Sequence, residues 1–213
     1  MSTEPAPREE GPPPRASEAQ EWLPQDYFRR ATVEEIFPER PEAFLEVDLG
    51  CGDGRFLERM GAQFPERNFL GVERLLGRVR KVSRKAERAG LQNVKVLRLE
   101  SAYAIEWLLP RASVNRLHLL CPDPWPKAKH HKRRLFQLAF LRSVAAVLKP
   151  GGEFCFKTDH LGYFEWAEEV LEDCSFLERL AWPSEAFFYA KTDFQELWEG
   201  QGKSLRRLRL RKP

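Results

Sequence analysis

Residues 44–54 read FLEVDLGCGDG, and this stretch decides the fold because an apolar run passes directly into a glycine-rich turn. Residues 44–49 have the composition of a buried strand, and residues 55–64 carry apolar side chains at helical spacing. Glycines in the turn allow the backbone to pass close to a ligand, where a side chain would block it. The stretch therefore predicts a strand, a ligand-binding turn and a helix in succession.

The alternation of strand and helix continues to residue 171. We predict further strands at residues 68–72, 94–99, 115–121 and 153–157, and helices at residues 74–89, 102–109, 132–148 and 163–171. Two final strands are predicted at residues 176–182 and 204–210. Alternating strands and crossover helices build parallel sheets. We therefore predict an α/β fold with a mostly parallel seven-stranded sheet and helices on both faces.

Composition divides the chain into two parts. Of its 213 residues 42% are apolar, which is enough for a substantial core. Residues 1–26 carry a net charge of −4, and residues 1–20 contain five prolines and almost no large apolar side chain. We predict a disordered acidic arm at residues 1–26 and one domain at residues 27–213. Docking on the domain is expected to begin around Trp22, Leu23, Tyr27 and Phe28. The domain has a net charge of +7, which favours an anionic partner.

The cysteines and histidines predict no metal site. The four cysteines are far apart, and we interpret Cys121 and Cys155 as reduced residues of apolar strands, which fits a cytoplasmic protein. His118 is expected in the core or at an edge. No apolar run is long enough to span a membrane, and the acidic, proline-rich start does not resemble a signal peptide.

Acidic residues lie at the carboxyl ends of three successive predicted strands. Asp48 stands two positions before Gly50, Glu73 ends the second strand and Glu100 follows the third. Because the carboxyl ends of parallel strands meet at one edge, these acids are expected to share a crevice. The glycines of the turn, with Gly52 in the middle, have the spacing GxGxG. Dinucleotide-binding proteins have GxGxxG, so this spacing disfavours a dehydrogenase. An acid beside the glycines suits the cationic methionine end of S-adenosylmethionine, while Glu73 suits its ribose and Glu100 its adenine.

Residues 122–134 read PDPWPKAKHHKRR and place a carboxylate beside a dense run of cations. Prolines restrict the loop of Asp123, which follows the predicted fourth strand into the same crevice. Trp125 is expected either to stack on a base or to belong to the core. A basic stripe on the helix at residues 74–89 and a tail at 203–213 with six cations add two more cationic patches. Three such patches favour a nucleic-acid partner.

These motifs together resemble the bacterial tRNA (guanine-N7)-methyltransferase family, over roughly residues 36–196. PDPWPKAKHHKRR is similar to the family's PDPW-x-K-x-x-H-x-K-R-R, and the GCGDG turn, GVE at 71–73 and KTD at 157–159 agree in order and spacing. The resemblance implies a Rossmann-like class I methyltransferase fold and S-adenosylmethionine as the cofactor. It also implies methyl transfer to N7 of a guanosine in the variable loop of tRNA.

Roles are carried over position by position. Cofactor binding is expected for Asp48, Gly50, Gly52, Glu73, Glu100 and Asp123. Asp123 is expected to be catalytic, and substrate binding is expected for Lys127, Asp159, Thr192 and Gln195. Contact with tRNA is expected for Lys129, His130, Lys132, Arg133 and Arg134. Gln195 stands where the family has Glu, and Glu196 is a candidate for supplying the missing charge.

Two alternatives remain open at this point. One is a methyltransferase that acts on a protein or a small molecule, which the basic runs beside the crevice disfavour. The other is a non-catalytic RNA-binding protein with a methyltransferase fold, which the presence of Asp48, Glu73 and Asp123 disfavours. The residues leave open whether the protein is a monomer or a homodimer.

Overall fold

Seven strands form one sheet in the computed structural model, which describes residues 20–183, 187–202 and 204–213. The strands are β1 (Leu45–Leu49), β2 (Asn68–Glu73), β3 (Val94–Arg98), β4 (Val114–Leu120), β5 (Leu148–Thr158), β6 (Glu178–Leu180) and β7 (Arg206–Arg211). The helices are α1 (Val33–Ile36), α2 (Arg55–Gln63), α3 (Leu76–Arg88), α4 (Ser101–Tyr103), α5 (Leu138–Val147), α6 (Leu161–Glu172) and α7 (Asp193–Gly200). A π-helical turn, Ala104–Leu108, continues α4, and a 3₁₀ helix, Ala128–Arg133, precedes α5.

The sheet has the order β3-β2-β1-β4-β5-β7-β6. Strands β1 to β5 are parallel, and β7 is antiparallel to both β5 and β6. The prediction of a mostly parallel seven-stranded sheet is therefore confirmed. The direction of the winding reverses between β1 and β4, where Asp48 lies level with His118. A crevice opens at the carboxyl ends of strands at such a reversal, and this is where ligands bind in open α/β sheets.

Apolar residues pack on both faces of the sheet. Helices α5 and α6 bury Leu141 and Tyr163 on one face, and α2 and α3 bury Phe56 and Val79 on the other. Each such side chain contributes about 1.5–3 kcal/mol when it leaves water. Gly54, with φ +78°, starts α2 at a point where an added Cβ would lie 2.8 Å from a methyl carbon of Val82. The last glycine of the turn therefore also lets α2 lie against α3.

Helix α5 begins later than predicted. The sequence predicted one helix at residues 132–148, but residues up to Arg133 form the 3₁₀ helix, and Arg134 has extended backbone angles. The α-helix starts only at Leu138. The helical periodicity was correct, but the side chain of Arg134 turns inward to bind other elements, and this interrupts the helix.

The N-terminal arm attaches to the sheet from residue 20 onward. The carbonyl of Gln20 accepts a hydrogen bond from Val96 N at 2.9 Å, and Trp22 N donates to Val96 O at 2.9 Å. Trp22 is buried, as predicted, whereas Leu23 and Phe28 are exposed. Residues 20–22 of the predicted arm therefore pair with the sheet, because the free edge of β3 offers backbone groups for pairing. Residues 1–19 lie outside the described residues.

Helix α7 and the position of His118 are two further outcomes of the comparison with the predicted elements. Helix α7 was not predicted, although Thr192 and the acids that follow it are an N-cap signal; the Thr192 side chain accepts a hydrogen bond from Gln195 N. His118 is fully buried in β4, as expected. Among the described helices, none is both long and apolar enough to cross a membrane.

Candidate active site

A cavity of about 620 Å³ lies at the carboxyl ends of β1, β2 and β4. It collects most of the residues predicted to hold the cofactor or to react. Its lining includes Asp48, Gly50, Gly52, Glu73, Glu100, Asp123, Trp125, Arg133, Thr192 and Phe194. The expectation that acids on successive strands share one crevice is therefore correct, and residues at the start of α7 line the same cavity.

Asp48 is a buried acid that has no hydrogen-bond partner among the described residues. Its side chain is only 3% exposed, and it receives no hydrogen bond from the residues that the structure describes. Burial, and then repulsion from Glu73, raise the pKa of Asp48 to about 8. An acid in this state is stabilised by a positive charge placed in the cavity. The site therefore fits a ligand with a cationic group near Asp48, such as the methionine end of S-adenosylmethionine.

Glu73 is oriented by the backbone of the glycine turn. Its carboxylate accepts hydrogen bonds from Gly52 N at 3.2 Å and from Leu75 N at 2.9 Å. Gly50 and Gly52 have φ values of +70° and +58°, which residues other than glycine rarely adopt. The turn therefore bends toward Glu73 and fixes one acid at the wall of the cavity.

Glu100 has a second, structural role. It is exposed at the rim of the cavity and is the N-cap of α4, where its Oε2 accepts a hydrogen bond from Tyr103 N at 2.8 Å. The cap holds the carboxylate in a fixed place at the end of β3. Its other oxygen lies free for a ligand amino group, as far as the described residues go.

The loop that carries Asp123 is strained. Cys121 and Trp125, on either side of it, have φ values of +50° and +43°, although neither is glycine. Such angles persist only where the surroundings enforce them. Cys121 N is bound to Lys157 O of β5 at 2.8 Å. Asp123 itself is exposed and faces the cavity, so the strain places a carboxylate where a substrate can reach it.

Trp125 is half-buried at the cavity wall and does not belong to the core. Its ring lies 5.8 Å from the ring of His130, and the guanidinium of Arg133 lies 4.9 Å from its centroid. The indole therefore joins the cavity to the basic run that follows.

Four of the five residues predicted to contact RNA lie at the surface. Lys129, Lys132 and Arg133 are exposed and His130 is half-buried. Arg134 was also predicted to contact RNA, but it is buried. It is only 2% exposed, and its side chain binds the carbonyls of Pro124 and Gly162.

The other two cationic patches are partly neutralised within the protein. On the α3 stripe, Lys81 pairs with Asp53 at 2.9 Å. In β7, Arg209 pairs with Glu153, and Arg211 pairs with Glu178 at 2.6 Å. Arg74 and Arg78 of the α3 stripe line the cavity together with Arg133 of the run that follows Asp123, so cations of two patches border it.

Comparison with known proteins identifies the family. Residues 42–208 match the family described as "Putative methyltransferase". The tRNA (guanine-N(7)-)-methyltransferase of Chromohalobacter salexigens is 35% identical over 178 residues, covering 83% of this chain and 72% of that protein. The chain belongs to the tRNA (guanine-N(7)-)-methyltransferase family. The relative of the same name from Halorhodospira halophila is 42% identical over 126 residues, 59% of this chain and 54% of that protein. The chain thus spans between about half and three quarters of these relatives.

Solved structures agree on the methyltransferase fold. The aminoglycoside resistance methyltransferase NpmB1 superposes with a TM-score of 0.57 at 21% identity, covering 86% of this chain and 95% of that one. The 16S rRNA methyltransferase KamB gives a TM-score of 0.57 at 22% identity, covering 80% and 88%. The Rossmann-like methyltransferase fold is thereby confirmed.

The remaining predicted substrate residues of this methyltransferase lie beside the main cavity. Thr192 lines it, whereas Gln195 lines a second cavity of about 470 Å³, on the other side of α7, together with Lys157 and Glu199. Lys127 is exposed and Asp159 is half-buried, and neither lines the two cavities. The structure therefore brings Thr192 to the acids of the main cavity and leaves Lys127, Asp159 and Gln195 outside that cavity.

Glu199, and not Glu196, supplies negative charge at Gln195. The Gln195 amide donates to Glu199 Oε1 at 2.7 Å, and its carbonyl oxygen accepts from Lys157 Nζ at 3.2 Å. Glu196 instead pairs with Arg59 at 2.6 Å and with Arg55 at 3.3 Å. The sequence-based suggestion that Glu196 compensates for Gln195 is therefore wrong, because its side chain points to α2, while Glu199 lies one helical turn beyond Gln195 on the same face.

Lys157 and the buried Glu46–His118 pair were missed as features of the site region. Burial lowers the pKa of Lys157 to about 8, and its ammonium lies 4.2 Å from the centroid of the Tyr189 ring. His118 contacts Glu46 at 2.8 Å through Nε2 and the Tyr189 hydroxyl at 2.6 Å through Nδ1. Burial lowers the pKa of His118, so we describe it as neutral. Nothing in the local sequence could reveal the contacts of His118, because they join residues 71 and 72 positions apart.

Proposed function

We propose that this protein transfers a methyl group from S-adenosylmethionine to N7 of a guanosine in the variable loop of tRNA. One observation carries the proposal: a buried acid without a hydrogen-bond partner among the described residues, Asp48, and an exposed carboxylate on a strained loop, Asp123, line the same cavity. The cationic run follows that loop directly. The relatives that carry the name tRNA (guanine-N(7)-)-methyltransferase support the same activity.

The cofactor is assigned to the acids at the strand ends. S-adenosylmethionine, when bound, supplies an electrophilic methyl group on a sulfonium. Asp48 compensates the positive charge of its methionine end, Glu73 accepts hydrogen bonds from the ribose hydroxyls, and Glu100 accepts one from the adenine amino group. The backbone of Gly50 and Gly52 leaves room for close approach, since an added Cβ at either would meet no atom within 4 Å and so project into open space.

Asp123 is assigned to the guanine. N7 of guanine already carries a free lone pair, so no proton has to be removed before methyl transfer. The base becomes cationic as the methyl group arrives, and a carboxylate that accepts hydrogen bonds from its N–H groups stabilises that charge. The main tasks of Asp123 are therefore to hold the base and to offset its charge.

The tRNA backbone is assigned to the exposed basic run, with Lys129, Lys132 and Arg133 as phosphate contacts. Contacts of this type dominate the affinity of proteins for nucleic acids and weaken steeply with salt. The guanosine must leave its tertiary contacts to reach the cavity, in the manner of other enzymes that modify bases. Lys127, Asp159 and Thr192 are assigned to the entering nucleotide. A tRNA substrate and four unpaired cysteines support a cytoplasmic location.

The test is incubation with labelled S-adenosylmethionine and unmodified tRNA, followed by mapping of the methylated nucleotide. We expect label on N7 of one guanosine in the variable loop. Ribosomal RNA and total protein serve as competing acceptors in parallel reactions. Label on either of these alone would favour a methyltransferase with another substrate. Binding of tRNA without any binding of S-adenosylmethionine would favour a non-catalytic RNA-binding protein.

A further inference from the structure

Arg134 differs from the other cations of the basic run. Lys132 and Arg133, directly before it, are exposed, whereas Arg134 is only 2% exposed. Its Nε donates to the carbonyl of Pro124 at 2.9 Å, and its Nη1 donates to the carbonyl of Gly162 at 2.9 Å. One guanidinium therefore joins the loop of Asp123 to the start of α6.

The guanidinium lies in a rigid aromatic niche. Its central carbon is 5.0 Å from the ring centroid of Tyr163 and 5.6 Å from that of Trp166. Both rings are themselves anchored to Phe136: the Tyr163 hydroxyl accepts from Phe136 N at 3.0 Å, and Trp166 Nε1 donates to Phe136 O at 2.8 Å. Arg134 remains charged despite burial, because a guanidinium is not deprotonated in proteins.

The bond to Pro124 has no substitute in the described part of the chain. It is the only hydrogen bond there that involves the backbone of residues 122–126. Pro124 directly follows Asp123, in the loop that is strained at Cys121 and Trp125. A strained loop keeps its shape only through its surroundings. Arg134 is thus the polar anchor that holds the carboxylate in place.

We propose that Arg134 is a positioning residue for Asp123, and not a phosphate contact of the basic run. The proposal rests on the proposed function, since it names the reaction that Asp123 serves. The planar fork of the guanidinium reaches two carbonyls on two elements at once. A lysine ammonium carries the same charge but cannot reproduce this fixed geometry.

Arg134→Lys distinguishes a phosphate contact from a positioning role. A lysine can still contact phosphate, but it cannot reproduce the two hydrogen bonds of the guanidinium to Pro124 and Gly162. We expect kcat for tRNA methylation to fall about 10- to 100-fold, the scale of a small misplacement of a reacting group. The Kd for tRNA and its dependence on salt should stay at their wild-type values. Lys132→Ala is the matched control: it should weaken tRNA binding and reduce the slope of log K against log salt by about one.

The opposite pattern overturns the proposal. If Arg134→Lys keeps wild-type kcat, Arg134 does not position Asp123. If the lysine variant does not fold, as judged by near-ultraviolet circular dichroism, Arg134→Gln replaces it. A lower salt slope in that variant would show a phosphate contact, while an unchanged slope with reduced kcat supports positioning. Wild-type protein that fails to methylate tRNA would refute the proposed function as well, so the two failures are distinguishable.

Discussion

Raising the pH from 6 to 8 should tighten binding of S-adenosylmethionine by about 50-fold through ionisation of Asp48. The pKa of this acid is raised to about 8 by burial and by repulsion from Glu73. If only the carboxylate form accepts the cationic end of the ligand, the apparent affinity follows the ionised fraction. That fraction is about 1% at pH 6, about 10% at pH 7 and about 50% at pH 8.

Titration calorimetry in pairs of buffers with different ionisation enthalpies measures both the affinity and the protons released. We expect about 0.9 protons released for each ligand bound at pH 7 and about 0.5 at pH 8. Asp48→Asn should remove this release and leave only the titration of the ligand itself. Asp53→Asn is the matched control, because Asp53 lies in the same turn but is paired with Lys81 at 2.9 Å, and it should keep the wild-type dependence on pH. Equal affinity at pH 6 and pH 8, or the same pH dependence in Asp48→Asn, would refute the reasoning.

The same acid should make the ligand-free protein less stable at high pH. A folded-state pKa of about 8 lies above the unfolded value of about 3.9, so between these pH values the folded protein must keep a proton on Asp48 that the unfolded chain releases. Its destabilising effect therefore grows as the pH rises from about 4 to about 8. Asp48→Asn should raise Tm at pH 8 by several degrees, and much less at pH 5, in thermal unfolding without ligand. A lower Tm at pH 8 would contradict the raised pKa of this buried carboxylate.

Three further variants test other parts of the site. Asp123→Asn should reduce kcat roughly 100-fold while the Kd values for tRNA and cofactor stay within a few-fold; unchanged kcat in steady-state assays would contradict its role. Glu199→Gln should lower kcat/KM for tRNA about tenfold or more through loss of a charged hydrogen-bond partner of Gln195. Glu196→Gln, the control on the same helix, should keep kcat/KM close to the wild-type value, because Glu196 pairs with Arg55 and Arg59 of α2; equal losses of kcat/KM would contradict the distinction. The pKa of His118 is lowered by burial, so the unfolded state takes up its proton first as the pH falls below about 6.5, and the free energy of unfolding should fall. Denaturant titrations at pH 7.5 and 5.5 should show a smaller pH effect in His118→Asn, and an equal effect would contradict a neutral buried imidazole.

Many residues that line the cavity could be predicted, because they occupy recognisable positions in local sequence patterns. Asp48, Glu73 and Glu100 each stand at or just after the end of a strand-like run, and strand ends meet at one edge of a parallel sheet. The proline-bounded loop marked Asp123 in the same way. The sequence also showed that Gln195 departs from the family pattern. It did not show that Glu199 supplies the carboxylate that contacts Gln195. Glu196 and Glu199 lie close together in sequence but point in different directions from α7. Glu196 binds Arg59 of α2, whereas Glu199 binds Gln195.

The amino-acid sequence by itself determined the parallel α/β sheet, the meeting of the strand-end acids in one cavity and the family. Strand and helix periods, glycines at positive φ and turn prolines are local properties, so they can be read along the chain. Only the tertiary structure decided which cations are free. Arg134 looks like the last cation of a solvated run, yet it is buried against Pro124 and Gly162, which lies 28 residues further along the chain. Burial depends on what the rest of the chain packs against each side chain, and a linear pattern of charge does not contain that information.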